Sequence, residues 1–237
     1  MIYGIIGAMD SEIALLTSEM QEIEIEEAAG LTFYKGVLCD RSAVVVKCGV
    51  GKVNAAACAQ LLIARYRVDL LINVGVAGGV DSCLHVLDVV VGTSLVQHDF
   101  DLRPFGYVKG YLGEAYGGDS QKPTYFKSDV TAAKRCFDAA KTVLGDEHAC
   151  FCGVIASGDE FVASADRRAD IAERTGALAS EMEGAAIAQV AVQNQTPFIV
   201  LRTISDLADG SAPVSFDTVV EFAADTAARI LVQMLRA

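Results

Sequence analysis

The chain has 237 residues, 52% of them hydrophobic, with 31 acidic against 19 basic side chains and a net charge of −12. That length holds one large domain or two small ones and buries about 70–75% of the unfolded surface, so neither a disulfide frame nor a structural metal is required. The apolar content excludes disorder, and an acidic chain without a basic patch argues against nucleic acid or an anionic membrane as partner.

In chain order, Ile2–Gly7 reads as an apolar strand and Asp10–Met20 as a helix, with Asp10 as N-cap and Ile13, Leu16 and Met20 on its inner face. The acidic cluster Glu22, Glu24, Glu26 and Glu27 reads as the wet face of an early strand. Thr32–Leu38 and Ala43–Cys48 follow as strands about the turn at Asp40-Arg41, and Val53–Tyr66 is helical. Leu70–Val76 is a fully apolar strand running into Ala77-Gly78-Gly79, and Val86–Val96 is another long strand. Residues 99–127 are rich in Gly and Tyr and read as a long loop, of the kind that is either functional or disordered. Ser128–Leu144 is a helix, Cys150–Ala156 a strand, Asp166–Arg174 and Glu183–Gln193 helices, and Phe198–Ser205 a strand. Ser215–Leu235 closes the chain as a helix capped by Ser215, with Val219, Phe222, Ala223, Thr226, Ile230 and Met234 on one face.

Strands continuous in Val, Ile and Leu, alternating with helices, predict an α/β sheet covered on both faces. No composition break divides the chain, so residues 1–237 are expected to form one domain with three layers. The N-terminus lacks the basic start of a signal peptide, and no run of 18 uncharged apolar residues offers a membrane span. Seven cysteines, mostly in apolar segments, read as reduced side chains used as small hydrophobes. The expected location is therefore the cytoplasm. Cys150 and Cys152 share a strand face, but no zinc-finger spacing accompanies them.

Two nucleotide-binding loops are absent. Gly4-Ile5-Ile6-Gly7 has the wrong spacing for a dinucleotide turn, and Gly49-Val50-Gly51-Lys52-Val53 lacks the spacing and hydroxyl of a P-loop. Ligands of α/β sheets bind beyond the carboxyl ends of strands. The polar residues in those positions are Glu12, Ser157-Gly158-Asp159 and Asp206, and Glu181-Met182-Glu183 opens a helix. Three carboxylates can thus converge on one crevice. Glu12 has a second reading as a helix-start residue favoured by the macrodipole, and Asp206 as a turn residue. Alternation puts Arg202 on the face of Asp206, and an Arg inside an apolar strand needs a carboxylate or a ligand. His98, flanked by Asp99 and Asp101, reads either as a proton shuttle or ligand or as a structural histidine at a strand end. Neither a Gly-x-Ser-x-Gly elbow nor a supply of histidine bases supports acyl transfer.

Six motifs then occur in register. They are Gly4–Glu12, Gly49-Val50-Gly51-Lys52-Val53-Asn54-Ala55-Ala56, Asn73-Val74-Gly75-Val76-Ala77-Gly78-Gly79, Ser157-Gly158-Asp159-Glu160-Phe161-Val162, Glu181-Met182-Glu183-Gly184-Ala185-Ala186 and Arg202-Thr203-Ile204-Ser205-Asp206-Leu207-Ala208-Asp209. Together they resemble the bacterial 5′-methylthioadenosine/S-adenosylhomocysteine nucleosidases, over residues 1 to about 235. The resemblance implies a three-layer α/β/α sandwich with a central mixed sheet, of the nucleoside-phosphorylase type. It also implies a homodimer, no metal or organic cofactor, and hydrolysis of the bond between adenine and ribose.

By motif match, Asp206 becomes the general acid toward adenine N7 and Glu12 the general base on the attacking water. Glu183 holds ribose hydroxyls, Met182 packs on the sugar and Arg202 orients the site. Phe161 stacks on adenine, the backbone of Val162 bonds its edge, and Gly78, Ser205 and Met9 line the site. Val50 and Phe216 flank the 5′-thio group. Leu102, Phe105 and Tyr107 resemble a tail-binding segment lent by a partner subunit. Such an acid–base pair follows the logic of inverting glycosidases. Val76 stands where many relatives carry Ser, and Asn73 where phosphorylases carry a phosphate-binding Arg, which favours water as nucleophile. The alternatives are an aminodeoxyfutalosine nucleosidase, a phosphorylase, and a nucleoside-sensing module without turnover.

Overall fold

The computed structural model describes residues 1–116, 118–207 and 216–237, the side chains of 216–218 excepted. Ser215, expected as a cap, and the Asp209 end of the last motif lie outside the described residues, as does the Phe216 side chain.

One mixed sheet runs through the described strands. Strand β1 (Ile2–Gly7) pairs in parallel with β4 (Arg41–Lys47) and with β5 (Leu70–Gly79). Beyond β4 the sheet continues antiparallel through β3 (Leu31–Leu38) to β2 (Gln21–Ala28) at the edge. On the other side β5 pairs in parallel with β10 (Phe198–Asp206). Strand β10 then meets β6 (Val89–Gln97) antiparallel, β6 meets β8 (Cys150–Ser157), and β8 meets β9 (Ala177–Glu181), both in parallel. Finally β9 returns antiparallel to β5 at Gly78 and Gly79. Five strands thus close into a ring, and β7 (Tyr125–Lys127) adds to β6. The sheet is mixed, as expected, but it is open only on the side of β1 to β4.

Alternation sorts the strand side chains between two cores. Ile5, Ile72, Val91 and Leu201 pack against α1 (Asp10–Glu19), α3 (Val130–Leu144) and α6 (Phe216–Arg236). Ile6, Leu71, Val90 and Val200 pack against α2 (Lys52–Tyr66) and α5 (Gly184–Gln193). A third, smaller cluster seats α4 (Ala165–Thr175) through Ile171. All nine residues of β10 are buried, which is why it carries almost no polar signal before Arg202.

Several expectations shift. Met9, not Asp10, is the N-cap of α1; the Asp10 carboxylate instead turns outward to Lys47 at 2.8 Å. The acidic edge strand β2 is exposed on both faces, and its carboxylates pair with Lys35 and Arg65. Such a charged edge discourages pairing with another chain. Strand β6 starts at Val89 rather than Val86, because Asp88 accepts the N–H groups of His85 and Ala149 and folds the approach into a turn. Phe222 is 57% exposed, although helical spacing predicts it on the inner face of α6. The alanines at 224, 227 and 228, buried beside Ala223, Ile230 and Met234, turn the buried stripe away from it. The short strands β7 and β9 carry no sequence signal.

Residues 99–127 are anchored rather than loose over their described part. Gly110 N donates to Phe100 O and Thr124 N to Gly110 O, at 2.7 and 2.9 Å. The Tyr116 hydroxyl accepts from Gln189 at 2.7 Å and its ring meets Phe126 edge-on.

Candidate active site

A cleft of about 270 Å³ opens where β1, β5, β9 and β10 end. Ten residues predicted from sequence border it: Met9, Glu12, Val50, Gly78, Phe161, Val162, Met182, Glu183, Ser205 and Asp206. Ala8, Val76, Ala77, Glu160, Ser180 and Glu181 complete the walls.

Glu12 enters because the chain turns straight from β1 into α1, putting its side chain back over the strand end. It is buried at 4% exposure, which removes the helix-surface reading. Oε2 accepts the N–H groups of Ala8 at 2.5 Å and Met9 at 3.0 Å, and Oε1 accepts that of Val76 at 3.0 Å. Gly75, paired with Arg202 across β5 and β10, leaves the space this requires: a Cβ there would overlap Glu12 Oε1. Burial raises the Glu12 pKa, while Arg202 and the three N–H groups act in the opposite direction and only partly offset it.

Asp206 is the last residue of β10, level with Gly78 of β5 across a register shift that follows Ile204. It is buried, and the hydroxyl of Ser205 stands 3.0 Å from its Oδ2. The shift marks a bulge, a common device for re-aiming a side chain beside a site.

Arg202 does not border the cleft. It lies beneath it, 1% exposed, with Nη2 donating to the carboxylate of Glu181 and to Asn73 Oδ1 and standing 3.6 Å from Glu183 Oε2. Asn73 in turn donates to Ile6 O. Glu181, which the sequence places only as part of a helix opening, is the main partner of that guanidinium. Its carboxylate also accepts the N–H groups of Glu183 and Gly184 and the Ser157 hydroxyl, so it caps α5 and carries the counter-charge at once. The signal for it is the demand of a strand-borne Arg for a carboxylate. Glu183 receives the N–H of Gly51 at 2.9 Å, and burial together with neighbouring Glu181 pushes its pKa upward.

Phe105 is 77% exposed, Tyr107 stacks on Tyr111, and Leu102 is half-buried; none of the three borders this cleft. His98 lies outside it too. The ring is buried against Arg167, and burial holds its pKa down at about 4, so it is a neutral structural residue. Cys150 and Cys152 are free thiols. Among the described residues no group of three or more His, Cys, Asp or Glu is placed to hold a metal ion, and no helix is long and apolar enough to cross a membrane.

Residues 2–236 match the family model of the phosphorylase superfamily. A 5′-methylthioadenosine/S-adenosylhomocysteine nucleosidase of Staphylococcus saprophyticus is 40% identical over 235 residues, covering 98% of each chain. The chain belongs to this nucleosidase family. The crystal structure of the nucleosidase from Neisseria meningitidis, in complex with methylthio-immucillin-A, superposes with a TM-score of 0.91 at 36% identity, over 99% of this chain and 98% of that one. The nucleosidase of Colwellia psychrerythraea in complex with adenine superposes equally well, TM-score 0.91 at 36% identity, covering 99% and 94%. The cleft has what nucleosidase chemistry needs. Two buried carboxylates, Glu12 and Asp206, line it together with Phe161 and Met182, and a pair of carboxyl groups in one cleft is the kind of arrangement that serves acid–base cleavage of a glycosidic bond.

Proposed function

We propose that this chain hydrolyses the N-glycosidic bond of 5′-methylthioadenosine and S-adenosylhomocysteine, releasing adenine and the 5′-thioribose. The observation that carries the reading is the meeting of Glu12, Glu183 and Asp206 in one cleft with Phe161 and Met182. Adenine stacks on Phe161 with its edge on the Val162 backbone, and Glu183 accepts hydrogen bonds from the ribose hydroxyls. Glu12 takes a proton from water as its oxygen bonds to C1′. Asp206 gives a proton to N7 as the C1′–N9 bond breaks, so the base departs neutral. A raised pKa suits Glu12 to this step, since a base is most effective when its pKa lies near the working pH.

Val76 has no side-chain donor for phosphate or water, but its N–H fixes the base itself. That supports water as the nucleophile. The family relatives support thioether substrates over the futalosine alternative. The exposure of Phe105, together with a mean hydropathy of +0.37, supports a homodimer in which each subunit lends its 99–127 segment to the other's tail pocket. The working location is the cytoplasm.

The test is adenine release from methylthioadenosine with and without phosphate, then kcat/KM for adenosylhomocysteine and adenosine. Turnover should not depend on phosphate. Adenosine should be poorer by about 1–3 kcal/mol, because its 5′-hydroxyl faces apolar walls. Phosphate-dependent turnover establishes a phosphorylase instead, and adenosine as best substrate a general purine nucleosidase.

A further inference from the structure

Two consecutive residues at the start of α2 join Glu183 of the cleft wall to three residues outside it, Asp159, Asp99 and Gln97. Gly51 N donates to Glu183 Oε1, and Lys52 N donates to Asp159 Oδ1 at 2.8 Å. The Lys52 ammonium, 17% exposed, bonds Asp99 Oδ1 at 2.7 Å and Gln97 Oε1 at 3.2 Å and stands 3.9 Å from Asp159 Oδ2. Asp99 closes the circuit, its Oδ2 accepting Asp159 N at 2.9 Å. Gln97 is itself held by Gln189 of α5 at 2.7 Å. Asp159 lies two residues before Phe161 and three before Val162.

We propose that Lys52 is a positioning residue for the glycosidic cleavage, holding the base-binding residues 157–162 in register with the sugar-binding Glu183. It rests on the reading above, in which Phe161 and Val162 bind adenine. The physical case is geometric. Ser157 ends β8, and residues 158–162 follow it without helix or strand of their own, with Phe161 53% exposed. Ser157 and Gly158 are tied to Glu181 through the Ser157 hydroxyl and Gly158 N, and Glu160 to Arg167 of α4, while Asp159 is tied to the sugar side by this circuit, on the same turn whose N–H bonds Glu183. Charge supports it: burial acts to raise the Asp99 carboxyl, but the Lys52 ammonium and the Asp159 N–H outweigh it and hold it below the usual range. A half-buried ion pair with two further hydrogen-bonded partners is a firmer tie than a surface pair.

Because base contacts are made in both ground and transition states, loosening them should raise KM and leave kcat nearly alone. Lys52→Met is therefore expected to raise KM for methylthioadenosine about tenfold and weaken binding of adenine, measured by calorimetry, about equally, with kcat within threefold. Lys52→Arg should recover most of the loss. Asp159→Ala, on a half-exposed loop side chain, supplies the same readout should Lys52→Met fail to fold, and it should behave alike. Adenine affinity and KM within twofold of wild type in the variant that folds, or a fall confined to kcat, overturns the proposal. Wild-type protein that neither binds adenine nor releases it overturns the functional reading instead, so the two failures are distinct.

Discussion

Glu12 Oε1 accepts the backbone N–H of Val76, 64 residues away, at 3.0 Å. This bond joins the first turn of α1 to the middle of the sheet and turns a helix-start glutamate into a fixed carboxylate inside the cleft. Replacement by Gln keeps the shape but gives water no base. Turnover by Glu12→Gln should fall at least a hundredfold. The amide presents one acceptor where three N–H groups converge, a cost of about 1–3 kcal/mol, while removal of a buried charge acts the other way. Melting temperature should therefore move by only a few degrees; preserved activity in a folded Glu12→Gln protein contradicts the role given to this residue.

The pH profile follows from the same burial. The base must be ionised to act, so kcat/KM falls as pH drops through its folded-state pKa. Burial raises that pKa, so the acid limb should lie above the ordinary glutamate value of about 4.3. Stability has the opposite sign. A raised folded pKa means the folded state holds this proton more tightly than the unfolded chain, so Glu12 costs stability as pH rises from the ordinary value through the raised one. The pH dependence of Glu12→Gln melting should lack that component. An acid limb at or below about 4.3 contradicts the assignment.

Gly75 is a second route to Glu12. Its φ is not positive, so the backbone accepts alanine, yet the added Cβ would overlap Glu12 Oε1 and come 3.1 Å from Arg202 Nη1. Gly75→Ala should lower kcat/KM by about two orders of magnitude in a protein that still folds, with far-ultraviolet dichroism unchanged. Wild-type kinetics would show that Glu12 is free to move aside without consequence.

Asp206→Asn retains size and hydrogen bonding but delivers no proton. Its kcat should fall below a hundredth of wild type, with methylthioadenosine binding kept within about tenfold. More than a tenth of the wild-type kcat sinks the general-acid role.

Arg202 and Glu181 form a buried pair whose members are not interchangeable with water. Arg202→Met would leave Glu181 charged and unpaired at 7% exposure, a loss of about 3–5 kcal/mol. For a chain of this size that is roughly 6–20 °C in melting temperature. Scanning calorimetry of Arg202→Met decides it, and an unchanged melting temperature would mean that the guanidinium contributes nothing to holding Glu181 in place.

Local pattern alone determined the main strands and helices of this chain. Continuous Val, Ile and Leu runs have no other way to satisfy the backbone while buried, and an Arg at position 202 demanded an anionic neighbour. Chain order along those strands also placed Glu12 and Asp206 beyond strand ends and Glu183 at a helix opening, and the six motifs in register pointed to a purine nucleosidase. The tertiary structure decided what local pattern cannot carry. Ring closure through β9 depends on a five-residue strand with no period to read. The partner of Arg202 was one of several carboxylates in the sequence, and the pairing of β9 with β8 and with β5, the neighbour of β10, brought Glu181 to it. The choice for Glu12 between a wet helix start and a buried base rested on one N–H group from β5 and on the missing Cβ of Gly75, contacts more than sixty residues apart in the chain. Burial is a property of what packs around a residue, and that is set by the whole sheet rather than by the residue's neighbours in sequence.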